Sequence, residues 1–229
     1  MAEPATSVTV SEAIERRMSV RAFSDRPVAE GKVRDILDRA RRSPSTGNLQ
    51  PWHVYAVGGE RLVALKRLIA EKLARDPAGE PLEFASYPSP LWEPLRARRA
   101  AAGRLRYEAF GFADKDGSGL SELLRRNFDF FGAPVGLFFY LDARVGPPQW
   151  ADLGMFLQSL MLLAVEEGLD TCPQQVWGSW NATLRDFLGV PDGRTLFCGM
   201  SLGYRDASHP CIAARTERAA MSEFASFAW

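Results

Sequence analysis

Apolar residues recur along this chain with two different periods, and the changes of period mark its elements. Thr9-Val10-Ser11-Glu12 has the form of a capping box, a hydroxyl followed three residues on by a carboxylate. It predicts a short helix through Ala13 and Ile14 that fades near Arg17. Val33, Ile36, Leu37 and Ala40 fall at i, i+3, i+4 and i+7, which predicts a helix from about Glu30 to Arg42 with a single apolar face. Ser43-Pro44-Ser45-Thr46-Gly47-Asn48-Leu49-Gln50-Pro51 breaks that period and reads as a loop dense in short hydrogen-bonding side chains. Trp52 to Val57 predicts a strand closed by Gly58-Gly59, and Glu60 to Arg75 a helix with Leu62, Leu65, Leu68, Ile69 and Leu73 on one side.

Asp76 to Ser89 is Pro-rich and irregular. Pro90 to Phe112 predicts a helix of alternating Arg and apolar positions, and Ser121 to Phe128 another, ending in the aromatic run Phe128, Phe130, Phe131. Pro134 to Leu141 is a continuous apolar run of strand length, the pattern of a strand covered on both faces. Gln149 to Gly168 predicts the longest helix. It is apolar nearly all round, so it belongs in the core or at a subunit interface. Leu169 to Cys172 reads as extended, Pro173-Gln174-Gln175 as a turn, Asn181 to Leu188 as a short helix, and Thr195 to Leu202 as a last strand broken at Gly199. The tail has no strong period but carries Arg215, Arg218, Phe224, Phe227 and Trp229. So many aromatics are expected to pack on something, a second subunit being one candidate.

Helices and strands alternate without internal repeat, which implies an α+β or mixed α/β domain around one sheet. The 229 residues and 46% apolar content suffice for a substantial core. Lys+Arg and Asp+Glu both count 28, a balance that argues against general nucleic-acid or anionic-membrane binding while leaving room for a local basic site. Met1 to Val10 lacks an apolar leader run, and Met155 to Val165 is too short to span a bilayer. Cys172, Cys198 and Cys211 are odd in number and far apart, and neither they nor His53 and His209 have metal-site spacing, so a reduced cytoplasmic protein is expected. Asp114-Lys115-Asp116-Gly117-Ser118-Gly119 begins like a calcium loop, but Arg125 stands where a bidentate carboxylate is required, so it is read as a turn. No Gly-x-Gly-x-x-Gly, Walker loop or Gly-x-Ser-x-Gly is present. With acid/base and nucleophilic machinery missing, any catalysis is expected to rest on a bound cofactor.

The stretch with most chemistry is Arg17-Met18-Ser19-Val20-Arg21. In an extended chain Arg17, Ser19 and Arg21 share a face while Met18, Val20 and Ala22 point inward. Two guanidiniums flanking a hydroxyl suit a phosphate group; a solvated basic helix end is the competing reading.

Five features stand in one order: Arg17-x-Ser19-x-Arg21-x-Phe23; the loop from Ser43 to Trp52; Phe128-Asp129-Phe130-Phe131-Gly132-Ala133-Pro134; Leu169-Asp170-Thr171-Cys172-Pro173-Gln174-Gln175; and Met200-Ser201-Leu202-Gly203-Tyr204 before Arg215-Thr216-Glu217-Arg218. Together, over roughly Ser11 to Phe227, they make the chain resemble the nitroreductase family of FMN-dependent, NAD(P)H-using oxidoreductases. The resemblance implies an α+β sandwich with a central, mostly antiparallel sheet flanked by helices. It also implies a homodimer with FMN at the interface, one domain over 1–229, a helical lid-like insertion at 76–127, and a tail at 214–229 wrapping the partner.

Carried across by position, Arg17, Ser19 and Arg218 resemble the phosphate clamp, with Met18 and Arg215 in the same cofactor set. Arg21 resembles the basic residue near the flavin N1/O2 edge, where charge gathers on reduction. Pro44, Ser45, Asn48 and Gln50 would line the flavin from the second subunit, and Asn127 would face its pyrimidine edge. Pro173 and Gln174 would flank the ring, with the backbone N–H of Gln175 toward N5. Many relatives carry Glu-Gly after that proline; Gln174-Gln175-Val176-Trp177 departs from it and implies a different pocket lining. Trp177, Trp180 and Phe130 are expected in the core, and Cys172 as a buried small residue. The activity implied is ping-pong hydride transfer from NAD(P)H through flavin N5 to an electron-poor acceptor such as a nitroaromatic or quinone. The alternatives are a flavin reductase, reductive dehalogenase or dehydrogenase, and a flavin-binding protein without turnover.

Overall fold

The computed structural model describes residues 8–112 and 118–229. The residues expected to turn at 114–117, and the first seven of the chain, lie outside that description. The first helix, α1 (Val10–Arg16), opens on the expected capping box: Glu12 N–H donates to Thr9 Oγ1 at 3.2 Å, and Thr9 N–H donates to Glu12 Oε2 at 2.7 Å. Helix α2 (Glu30–Ala40) buries Val33, Ile36 and Ala40 on the predicted face. Strand β1 (His53–Gly58) leads directly into α3 (Gly59–Arg75), which buries Leu62, Leu65 and Ile69.

Helix α4 (Leu95–Ala109) starts five residues later than the pattern predicts. Pro94 is its N-cap, because a proline further inside would forfeit a hydrogen bond and clash with the preceding turn. Helix α5 (Ser118–Phe128) begins earlier than predicted. Strand β2 (Val135–Asp142) precedes α6 (Pro147–Glu166), whose first turn contains Pro147 and Pro148. Prolines are tolerated there because first-turn N–H groups have no partner inside the helix. Strand β3 (Asp170–Gln174), α7 (Asn181–Leu188) and β4 (Arg194–Gly203) complete the set.

The strands form one antiparallel sheet in the order β1-β2-β4-β3. Its central strand explains the continuous apolar run. Phe138 and Tyr140 point to one face, among Leu65, Ile69, Phe130 and Trp177, while Leu137, Phe139 and Leu141 point to the other, among Ile36, Phe156 and Leu160. Both faces are therefore covered, by α3, α5 and α7 on one side and α2 and α6 on the other. The result is the α+β sandwich expected.

Two sequence expectations fail in the sheet. Pro173 and Gln174 are not a turn but the end of β3, paired with Met200 and Gly199; a proline is accepted because β3 is the last strand of the sheet. Strand β4 is not broken at Gly199 but runs through it. A Cβ there would lie 2.3 Å from Trp177 Cδ1, so the glycine makes room for the indole. The irregularity falls instead at Phe197, where Phe139 pairs with Cys198 and Tyr140 with Leu196.

The irregular stretch after α3 is tied down by one carboxylate. Thr183 N–H donates to Glu80 Oε1 at 3.1 Å in the first turn of α7, where the helix dipole favours an anion. The tail is held on the same chain. Arg215 donates to the carbonyls of Glu15 at 2.6 Å and Arg16 at 3.1 Å, satisfying groups at the end of α1 that lack helical partners. Arg98 on α4 pairs with Glu223 at 2.9 Å.

Candidate active site

The segment after α1 is extended and pinned along the end of the sheet. Val20 N–H donates to Thr171 O at 3.0 Å, Phe23 N–H to Phe131 O at 3.1 Å, and Ser24 N–H to Tyr204 O at 2.9 Å. Val20, Ala22 and Phe23 are buried by this docking. Arg17, Ser19 and Arg21 are left half-buried, facing a cavity of about 520 Å3. Its far wall is α4, through Leu105 and Arg106, and its end is closed by the tail, through Arg215 and Arg218.

Five arginines reach this cavity: Arg17, Arg21, Arg106, Arg215 and Arg218. Among the described residues none forms a salt bridge, although Glu15 also reaches the lining. The charges fall into two groups. Burial pushes the Arg17 pKa down, and the neighbouring Arg218 and Arg215 push it further. Burial likewise depresses Arg106, with Arg21 the next cause. Like charges gathered on one cavity, Arg17 and Arg106 partly desolvated and none paired with a carboxylate among the described residues, fit an anionic ligand. A phosphate fits the first group, beside the Ser19 hydroxyl. Arg215 donates to three carbonyls at the end of α1, so it ties the tail to that end as well as lending charge. Arg218 turns one nitrogen back on Thr216, 2.7 Å from its hydroxyl. Arg21 donates to Ser19 O at 3.1 Å.

The other expected site residues lie apart from this cavity. Pro44, Ser45, Asn48 and Gln50 sit in the loop before β1, with all but Ser45 exposed. Asn48 and Gln50 hold positive φ angles of 56° and 48°. Such angles are uncommon outside glycine and need enforcing contacts. Ser45 Oγ accepts from Gln50 N–H at 3.0 Å, and Asp152 Oδ1 on α6 accepts from Thr46 N–H at 3.0 Å.

Asn127, Pro173, Gln174 and Gln175 gather at the other end of β3. Here one expectation is corrected: Gln174 does not present its side chain to a ring. It is 3% exposed, with Nε2 donating to Asn127 O at 2.6 Å and Oε1 accepting from Ser201 Oγ at 2.9 Å. In β3 its side chain points inward, whereas a turn would have left it free. Asn127 donates its own amide to Leu123 O at 2.8 Å. Pro173 and Gln175 are partly exposed.

Sequence reasoning missed two residues. Arg106 was one of several arginines on a helix with no distinguishing spacing; only α4 folding over the cavity singles it out. Asp152 is the only acid of α6 apart from Glu166 at its end, and it is 1% exposed; that isolation was the available signal. Trp177, Trp180, Phe130 and Cys172 are core, as expected.

Residues 14–204 match the model of the nitroreductase family. A 4-nitrobenzoate reductase of Pseudomonas putida is 38% identical over 211 residues, 92% of each chain. A chloronitrobenzene nitroreductase of Comamonas testosteroni is 37% identical over 226 residues, 97% of this chain and 98% of its own. The crystal structure of the FMN- and NADPH-dependent nitroreductase NfnB from Sphigopyxis sp. strain HMH superimposes with a TM-score of 0.93 at 41% identity, covering 96% of this chain and 99% of its own. With these likenesses, the fold is that of an FMN-dependent oxidoreductase. The chain belongs to the nitroreductase family.

Proposed function

We propose that this chain is an FMN-dependent nitroreductase that uses NADPH or NADH to reduce nitroaromatic compounds or similar electron-poor acceptors. The observation that carries the reading is the cluster of Arg17, Arg215 and Arg218 beside Ser19, without a carboxylate partner among the described residues, which suits a phosphate monoester. Similarity to an FMN- and NADPH-dependent nitroreductase and to a 4-nitrobenzoate reductase supports the cofactor and the acceptor class. When bound, FMN supplies a two-electron relay that takes hydride from the nicotinamide and passes it on. The net first step is ArNO2 + NADPH + H+ → ArNO + NADP+ + H2O, and donor and acceptor using one site in turn predicts ping-pong kinetics.

Arg17, Ser19 and Arg218 hold the phosphate, Met18 lies beside them, and Arg21 stands by the pyrimidine edge. The backbone N–H of Gln175 serves the N5 side, with Pro173 and Asn127 nearby. Gln174 supports that end from within. Pro44, Ser45, Asn48 and Gln50 reach the cofactor of a second copy, which makes the enzyme a homodimer. Exposed apolar side chains support this assembly: Val10 and Ile14 on α1, Met155 on α6, and Leu49 in the loop. Phe224 at 73% and Trp229 at 106% exposed belong to the tail of 214–229, which continues onto the partner. The segment 76–127 acts as the lid that selects the acceptor. A cytoplasmic location accompanies this reading, in keeping with three buried free cysteines.

A visible spectrum before and after anaerobic NADPH tests the proposal. Flavin bands that bleach with NADPH and return with a nitroarene are expected. A preparation that stays colourless with excess FMN overturns it.

A further inference from the structure

Arg106 has no role in the family resemblance. It lines the same cavity as Arg21, from α4, and its Nε is buried without a hydrogen-bond partner among the described residues. No carboxylate neutralises it among the described residues. Cys172 lies close by and is buried, so the surroundings offer little dielectric relief. A guanidinium held beside another guanidinium is unfavourable unless an anion joins them. The phosphate has its own arginines: Arg215 meets Arg17 at the end of α1, donating to the carbonyl oxygens of Glu15, Arg16 and Arg17, whereas Arg21 and Arg106 line the cavity from further along the extended segment and from α4. The cavity thus has two cationic poles, and a flavin nucleotide has two matching ends. One is a phosphate that is always charged; the other is a pyrimidine edge that gains charge on reduction.

We infer that Arg106 joins Arg21 at the pyrimidine edge of the flavin, so that α4 supplies a second cation that favours the reduced cofactor. This rests on the flavin reading above. A cation that interacts more strongly with the reduced form raises the reduction potential, because only differential binding shifts an equilibrium. It also makes α4 more than a wall: besides the packing of Tyr107 on the core, the cofactor's charge gives the helix a second hold. Displacing α4 would lower the driving force for hydride uptake.

The test uses the FMN-loaded enzyme and its Arg106→Gln and Arg106→Lys variants. Because α4 has no buried residue, neither exchange opens the core. Spectroelectrochemical titration is expected to show Arg106→Gln binding reduced FMN about tenfold less favourably relative to oxidised FMN, a potential lower by about 30 mV for a two-electron couple. Arg106→Lys, which keeps the charge, is expected to recover part of that shift. The affinity for oxidised FMN, read by fluorescence quenching, should change much less, since the phosphate arginines are untouched. An unchanged potential in Arg106→Gln overturns the inference. So does an unchanged potential with a KM increase confined to 4-nitrobenzoate and absent for nitrobenzene, which would assign Arg106 to a carboxylate on the acceptor. Failure of the unsubstituted protein to bind FMN would instead overturn the flavin reading itself.

Discussion

Replacing Gln174 by methionine separates an inner strut from a flavin-facing side chain. Methionine has similar length and no hydrogen-bonding amide, so the exchange removes polar contacts with little change of volume. The Gln174 carbonyl oxygen accepts from Ser201 Oγ at 2.9 Å and from Trp177 Nε1 at 3.4 Å, and both side chains are 0% exposed. Neither donor can turn to water once that acceptor is gone. A buried polar group left unpaired costs about 1–3 kcal/mol, and the long indole contact belongs at the low end. Asn127 O also loses a donor at 2.6 Å, but Asn127 is half-buried and water can replace it. The total is roughly 2–4 kcal/mol. For a chain of this length each kcal/mol moves Tm by about 2–4 °C, so a fall of roughly 5–15 °C is expected. Circular dichroism melts of the FMN-free protein measure it without contribution from the cofactor. Adding Ser201→Ala removes one orphaned donor, so the double variant should be less destabilised than the sum of the singles by about 1 kcal/mol. A Gln174→Met melt indistinguishable from the unsubstituted protein, with FMN affinity lost instead, would refute the strut and return the side chain to the ring.

Arg17→Ala should weaken FMN binding about 10- to 150-fold, the worth of a hydrogen bond to a charged group, as measured by fluorescence quenching; unchanged affinity would remove Arg17 from the phosphate site. Gly199→Ala drives a methyl group to 2.3 Å from Trp177 Cδ1 and should cost roughly 1–3 kcal/mol or more in urea denaturation. Arg125 and then Arg126 pull the Glu122 carboxyl from its usual 4.5 down to about 2. Since the folded pKa is the lower one, that stabilisation is present above pH 4.5 and is lost as pH falls toward 2. Glu122→Gln should therefore flatten the stability profile in that window and leave it unchanged in shape near neutrality. Asp152→Ala should free the loop at Thr46, raising FMN loss from the assembled protein while disturbing the sheet little; a loop that keeps the same protection from proteolysis would contradict that role.

What could be read from the sequence was what repeats or what stands together. The apolar faces of α2 and α3 follow helical spacing, and the run in β2 declares a strand buried on both sides, because burial acts on every residue of an element alike. Arg17, Ser19 and Arg21 were legible for the same reason: three neighbours in one extended segment share a face whatever the rest of the chain does. The side chains that escaped depend on contacts between distant segments. Gln174 looked like part of a turn because Pro173 precedes it, yet β3 is the last strand of the sheet, and its outer edge, bridged by the extended segment at Thr171, tolerates a proline two residues on. That pairing sets the direction of the Gln174 amide and converts a pocket residue into the tie between Asn127 and Ser201. Asp152 works likewise across 106 residues to Thr46, holding a loop whose Asn48 and Gln50 adopt left-handed backbone that composition does not reveal. Arg17, Ser19 and Arg21 are thus local in sequence, while Gln174 and Asp152 act across long stretches of chain. Substitutions at those two positions should alter stability and cofactor retention together, whereas Arg17→Ala should alter retention alone.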